Sequence, residues 1–121
     1  MTVTRGTDIA MVSLPGRRSG DPLKHIDTAS SVRIVELEPD VARYAHRHPH
    51  SEEIMVVASG RGRVWIEGEF TDVTAGDVVT VPIGLAHATL CSEPVKLHCF
   101  FPHGDLPGNY EETDIIVEDA Q

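Results

Sequence analysis

The chain has 121 residues, a length typical of one domain with its own hydrophobic core. Its 19 Asp and Glu residues outnumber its 10 Lys and Arg residues, and the formal net charge of -9 argues against nucleic-acid binding, which needs clustered basic side chains. No stretch is long and apolar enough to span a membrane, and the N-terminus lacks the apolar core of a signal peptide. We therefore expect a cytoplasmic protein with no nucleic-acid and no membrane partner.

The first third of the chain predicts two strands separated by irregular structure. An apolar stretch at residues 9–14 indicates a strand, and the Gly- and Arg-containing segment at 16–21 indicates a mobile loop, so that residues 1–28 form an N-terminal strand and loop. The sequence SVRIVEL at 31–37 alternates as a half-buried strand does, and Pro39 and Asp40 end it with a turn. Extended structure is expected again at residues 44–48.

The remainder of the chain predicts more short strands. Two β-prone runs, 53–57 and 63–67, flank a Gly-rich turn and predict a hairpin. Turn residues then separate further strands, and the acidic tail at 103–121 contains one more β-prone run; these segments lie at 70–73, 78–81, 87–90, 95–101 and 115–117. Regularly spaced short strands without a long amphipathic helix predict an all-β sandwich or barrel.

Histidine is the informative residue type in this chain. Of seven histidines, His46, His48 and His50 fall within five residues, whereas the two cysteines are too few for a disulfide framework and are expected to be buried free thiols. Alternation along a strand places His46 and His48 on the same side, about 7 Å apart at ~3.3 Å per residue. Glu53 could join them only if the chain bends, and Pro49 is a reason for a bend. A distant residue, His87, could then complete a metal site.

The spacing of these residues resembles the two motifs of the cupin superfamily. The first motif is represented by His46, Arg47 and His48, then Glu53 after four residues and Gly60 after six more. The second is represented by Gly76, the Pro-Ile-Gly sequence at 82–84, and His87. The family's usual Gly before the first motif is Asp40 here, and the usual Asn at the end of the second is Cys91.

The resemblance implies a double-stranded β-helix, the jelly-roll barrel of cupins, as a single domain over residues 1–121. It implies that His46, His48, Glu53 and His87 bind one divalent transition metal, Fe, Mn, Ni, Zn or Cu, and that the protein is a homodimer. Three imidazoles and one carboxylate suit several of these ions, so the ligand set does not identify the metal. Glu52 could replace Glu53 in principle, but the spacing to Gly60 favours Glu53.

Four other residues are candidates for the neighbourhood of the site. Tyr44 and Thr89 lie two residues from His46 and His87, so alternation predicts that they share the lumen-facing side. Tyr44 is thus a candidate proton donor or simply a lining residue. His98 is a candidate general base if its face of strand 95–101 lines the lumen, and otherwise a structural histidine. His50 belongs either to the mouth of the site or to an exposed loop.

The predicted metal site supports more than one function. The first hypothesis is a small metal-dependent enzyme, either a dioxygenase or an isomerase, lyase or cyclase, that acts on a small oxygenated molecule in the lumen. The second is a small-molecule binding or sensor protein without catalysis. The third is a structural metal that only ties strands together.

Overall fold

A computed structural model describes residues 1–119 of the chain. Within these residues the chain forms eleven β-strands and two short 3-10 helices, at Gly6–Asp8 and Pro107–Asn109. The strands are β1 Met11–Leu14, β2 Arg17–Gly20, β3 Ser31–Leu37, β4 Arg43–Arg47, β5 Glu53–Ser59, β6 Arg61–Ile66, β7 Glu69–Thr74, β8 Val78–Val81, β9 His87–Leu90, β10 Val95–Phe101 and β11 Glu111–Val117. No helix among residues 1–119 has the length and apolar character to cross a membrane.

The strands form two antiparallel sheets whose inner faces enclose the core. One sheet has the order β1-β2-β3-β10-β5-β8 and the other β11-β4-β9-β6-β7. Neighbouring strands are mostly distant in sequence, as β10 shows by pairing with both β3 and β5. This architecture confirms the predicted all-β jelly-roll barrel.

The core follows from alternation within the strands. On β10, residues Leu97, Cys99 and Phe101 are buried, and the residues between them face outward. The same period of two holds on β3 and β5, so aliphatic side chains from both sheets meet between them. Both cysteines are free and buried, as predicted.

Two predictions about local structure are wrong. Residues 17–20 form strand β2 rather than a loop, because a turn at Pro15 and Gly16, with Gly16 at a φ of 77°, folds them back on β1. β5 and β6 do not form a hairpin, because β5 pairs with β10 and β8 whereas β6 pairs with β7 and β9. The chain changes sheets at Gly60, whose φ of 79° is one that other residues rarely adopt.

The acidic C-terminal segment belongs to the barrel over most of its length. Strand β11 pairs with β4, with a register shift between Glu112 and Ile116. This strand is longer than the predicted run at 115–117, because its first residues are polar and give no apolar signal. The predicted tail also includes residues 120 and 121, which lie outside the described part of the chain.

Candidate metal centre

Four side chains from two sheets converge inside the barrel. One nitrogen or oxygen ligand atom from each lies within 4.8 Å of the others, and the residues are His46, His48, Glu53 and His87. His46 on β4 is paired directly with His87 on β9, and Glu53 begins β5 in the other sheet. His48, Glu53 and His87 are all at least 95% buried. The structure thus brings together the four residues predicted from the sequence.

The chain between His48 and Glu53 bends as predicted, and Asn109 fastens the bend. The Asn109 side chain accepts a hydrogen bond from the His50 backbone N–H at 2.8 Å and donates one to the Ser51 hydroxyl at 2.8 Å. On the other side, the Gly84 N–H donates to the His48 carbonyl at 2.9 Å. Because the segments around Asn109 and Gly84 both contact the bend, residues 48–52 can leave one sheet and enter the other while His48 stays directed inward.

Two of the imidazole rings are oriented by backbone carbonyls. His48 Nδ1 lies 2.7 Å from the Asn109 carbonyl oxygen, and His87 Nδ1 lies 2.9 Å from the Leu85 carbonyl oxygen. A carbonyl oxygen only accepts hydrogen bonds, so both Nδ1 atoms are the donors. In a neutral ring the lone pair then belongs to Nε2, which is the arrangement found around metal-bound histidines.

The Nε2 atoms face Glu53 rather than a hydrogen-bond donor. His87 Nε2 is 2.8 Å and His48 Nε2 is 3.5 Å from the same Glu53 carboxylate oxygen. The His48 Nε2 is buried and has no hydrogen-bond partner. Lone pairs that converge in this way need a positive charge between them, which a proton or a metal ion can supply. The donor set, three imidazoles and a carboxylate, therefore fits a divalent transition metal.

The electrostatics keep two of the ligands, His46 and Glu53, in the charge states that a metal requires. Burial lowers the pKa of His46 well below its usual value, and His87 lowers it further, so that His46 is neutral near pH 7. Burial alone raises the pKa of Glu53, but the imidazoles of His48 and His87 outweigh it and hold the pKa of this carboxyl well below its usual range. Glu53 is therefore a carboxylate with its negative charge directed at the cluster.

A cavity of ≈ 50 Å³ adjoins three of the four ligands. Aliphatic and sulfur-containing side chains form much of its wall, together with two arginines; besides His46, Glu53 and His87, the lining residues are Arg17, Arg33, Val35, Leu37, Met55, Thr89, Leu97 and Cys99. Thr89 thus lines the cavity, as alternation predicted. Arg17 and Arg33 also line the cavity, although motif spacing does not indicate them as site residues. Alternation offers a signal for Arg33, which shares a face of β3 with the buried Val35 and Leu37.

Tyr44 and His98 are not where the catalytic hypothesis requires them. His98 lies on the outer face of β10, because the face with Leu97 and Cys99 lines the cavity. Tyr44 is 51% exposed and does not line the cavity. Within residues 1–119, β4 and β9 are paired only at His46 and His87, so the wall formed by these strands does not extend to Tyr44. Alternation predicts a face of a strand, but not how far the barrel covers that face.

Glu52 and His50, the remaining candidates from the sequence, are both exposed to solvent. Glu52 is exposed, whereas Glu53 is buried in the cluster. His50 is exposed in the bend and stacks on His103 at a ring-centre distance of 5.3 Å, which places it in a surface loop.

The two positions that depart from the usual cupin motifs lie next to each other. Asp40 has a φ of 60°, in the left-handed region where Gly is favoured and where Asp and Asn are the best-tolerated alternatives. Its N–H donates to the Cys91 carbonyl at 2.8 Å. Both departures are therefore accommodated outside the four-residue cluster.

Comparisons with known proteins identify the family and the fold of the chain. The family described as Cupin domain matches residues 33–101. An uncharacterized protein of Methanocaldococcus jannaschii is 32% identical over 74 residues, which cover 59% of this chain and 56% of that protein, so the chain spans about half the length of this relative.

Solved structures with the same fold include two oxalate decarboxylases and one nucleoside dehydratase. The oxalate decarboxylase of Lactobacillus farciminis, in a formate complex, is 22% identical with a TM-score of 0.75 over 88% of this chain and 34% of that chain. The Bacillus subtilis oxalate decarboxylase, studied for its Mn(II) centres, is 21% identical with a TM-score of 0.72 over 84% and 29%. Streptomyces Pac13 with uridine is 14% identical with a TM-score of 0.78 over 93% and 90%. With the family match over more than half of its length, the chain belongs to the cupin family.

Proposed function

We propose that the chain binds one divalent transition metal through His46, His48, Glu53 and His87, and that it is a metal-dependent enzyme acting on a small oxygenated molecule. One observation carries the metal proposal. The Nδ1 atoms of His48 and His87 are engaged by carbonyls, while their Nε2 atoms converge on a buried carboxylate and one of them has no partner. Such an arrangement is costly for a protein that binds nothing there.

The arrangement leaves room for a substrate next to the ligands. A bound metal would act as a Lewis acid or a redox centre, and four protein ligands on a six-coordinate ion leave about two positions open. Three of the four ligands are buried, and burial strengthens electrostatic interactions within the site.

Between the two enzyme classes, we propose a lyase rather than a dioxygenase. The similar folds include enzymes named as a decarboxylase and a dehydratase, and both names describe lyase reactions. The same comparisons support manganese as the first ion to test, since one of these enzymes is described with Mn(II) centres.

Elemental analysis of protein expressed without added metal tests the proposal. We expect about one transition-metal ion per chain in the wild type and almost none in His87→Ala. Turnover of small oxygenated compounds should require the metal and should proceed without dioxygen. Protein free of transition metal that also fails to bind Mn²⁺, Fe²⁺ and Zn²⁺ would overturn the metal proposal, and turnover that consumes dioxygen would favour the dioxygenase. A metal-loaded protein that holds a small molecule unchanged over long incubation would favour the binding function.

We also propose that the protein is a homodimer. The outer face of the β3-β10-β5 sheet carries apolar side chains that nothing covers within residues 1–119. Phe100 on this face is 40% exposed and is paired with Val32 on β3 and Ile54 on β5. Light scattering should give twice the chain mass for the wild type, and Phe100→Lys should shift the protein towards the monomer. A monomeric wild type at the highest concentration tested would refute the dimer.

The two free cysteines support the cytoplasmic location that we propose, because the cytosol keeps thiols reduced. Fractionation of the native host should recover the protein with cytosolic markers. Recovery with an extracytoplasmic fraction would contradict this location.

A further inference from the structure

Two arginines face the cavity beside the metal ligands. Arg17 on β2 is paired with Leu37, and Arg33 on β3 is paired with Cys99, so both project from the inner face of their sheet. Both line the cavity together with Glu53. Both side chains are partly buried, and partial burial of a guanidinium without a compensating charge is unfavourable.

Within the described part of the chain, neither of these two arginines has an acidic partner, whereas other arginines have polar partners. Arg18, the next residue on β2, forms an ion pair with Glu36 at 3.3 Å on the outer face. Arg43 donates hydrogen bonds to the carbonyls of Gly16 and Glu38. Among residues 1–119, neither Arg17 nor Arg33 forms an ion pair with an acidic side chain.

The two guanidinium groups also repel each other. Burial lowers the pKa of Arg33, and the charge of Arg17 lowers it further. A negatively charged ligand between them would remove this repulsion and supply the missing partner for both.

Arg33 is held next to the metal ligands by an aromatic ring. Its guanidinium carbon lies 5.4 Å from the centre of the Tyr110 ring, within the range of a cation–π interaction. The same ring stacks on His46 at a ring-centre distance of 5.1 Å with an interplanar angle of 24°. Tyr110 thus couples the position of Arg33 to that of a metal ligand.

The charge and size of the cavity narrow the class of ligand. Arg17 and Arg33 together exceed the single negative charge of Glu53 in the cavity wall, and a divalent metal would add to the positive excess. A cavity of ≈ 50 Å³ has room for only about three to five water-sized groups. A planar carboxylate matches the fork of an Arg guanidinium and can accept two parallel hydrogen bonds.

We propose that the substrate is a small carboxylate, that Arg33 and Arg17 bind its carboxylate group, and that this group is therefore oriented beside the four-residue cluster. The identification of this anion as the substrate rests on the proposed function. The anion site itself needs only the two arginines and the cavity.

Titration calorimetry with glycolate and its neutral analogue glycolamide tests this site. We expect glycolate, but not glycolamide, to bind the wild type in both metal-free and Mn²⁺-loaded protein. Removing one charged hydrogen-bond partner should weaken glycolate binding roughly 10- to 100-fold in Arg33→Gln and in Arg17→Gln. Arg33→Lys should retain part of the affinity, and Arg18→Gln, on the outer face, should bind glycolate as the wild type does.

The outcomes separate this inference from the metal proposal. Equal binding of glycolate and glycolamide, or wild-type affinity for glycolate in both Gln variants, would overturn the anion site. Metal content is measured in the same samples and should be unchanged in Arg33→Gln and Arg17→Gln. A wild type that holds no metal but binds glycolate through the two arginines would support the anion site while refuting the proposed function.

Discussion

The interior of the barrel contains two regions, a polar cluster and an aliphatic core, which differ in how well their side chains are matched with partners. In one, polar side chains converge without enough partners, as the buried His48 Nε2 shows. In the other, buried aliphatic residues from both sheets pack against one another, among them Val57, Val64 and Val81. The same alternation of side chains builds both regions, so position along the strand decides which residues form the site.

Because the two regions differ in this way, stability and metal binding should be separable in this protein. Apolar burial stabilises the fold by roughly 25 cal/mol per Å² wherever it occurs. The polar cluster is a weak source of stability without its ion, because its donors and acceptors are unevenly matched. Substitutions in the cluster should therefore change binding most, and substitutions in the aliphatic core should change the free energy of unfolding most.

Replacing a ligand should have the largest effect. His87→Ala removes one of the four ligand atoms, and we expect at least a ~100-fold loss of metal affinity, more than the loss of a ligand's hydrogen-bond partner causes. The measurement is a competition titration with a chelator of known affinity. Metal affinity within threefold of the wild type would show that His87 is not a ligand.

Replacing a core residue should have the next largest effect, but on stability. Val57 is 1% exposed and packs within the aliphatic core. Val57→Ala should lower the free energy of unfolding of the metal-free protein by about 2 kcal/mol, from lost burial and an unfilled cavity. Urea denaturation measures this change. A large loss of metal binding with unchanged stability would contradict the separation of the two regions.

Asn109 supports the bend that carries His48, and its replacement should have a smaller effect on metal binding than the loss of a ligand. Asn109→Ala removes the side-chain hydrogen bonds to Ser51 and His50 but keeps the backbone carbonyl that orients His48. We expect metal affinity to fall by about 10-fold, at the lower end of the effect of indirect partners of a metal. Chelator competition measures it, with Asn109→Ser as the matched variant that can restore one of the bonds. Unaltered affinity in Asn109→Ala would mean that the bend holds its shape without this side chain.

Tyr44→Phe should have the smallest effect. Because Tyr44 is half exposed and does not line the cavity, the variant should keep its metal, its turnover and its stability to within about 0.5 kcal/mol. Elemental analysis checks the metal content, an activity assay checks the turnover, and urea denaturation checks the stability. Loss of turnover with metal retained would restore the catalytic role that alternation predicted for this tyrosine.

The sequence allowed prediction of what depends on local pattern. Strands such as Ser31–Leu37 and Val95–Phe101 alternate clearly, and the four clustered residues follow from motif spacing and the bend at Pro49. Strand pairing was less predictable, because β5 and β6 are adjacent in sequence but belong to different sheets. Asn109 and Tyr110 reach the site only through the pairing of β11 with β4, which no local pattern reveals. Arg33 is a charged residue on an apolar face of β3, which the sequence pattern reveals. Strand alternation alone does not show that this face lies beside the metal ligands.

A crystal structure of the Mn²⁺-loaded protein, with anomalous diffraction data, would test the central claim most directly. We expect one anomalous peak per chain, from a manganese ion bound by the Nε2 atoms of His48 and His87, a ring nitrogen of His46 and the carboxylate of Glu53. A peak elsewhere, or an empty cluster in protein that elemental analysis shows to contain manganese, would contradict this claim.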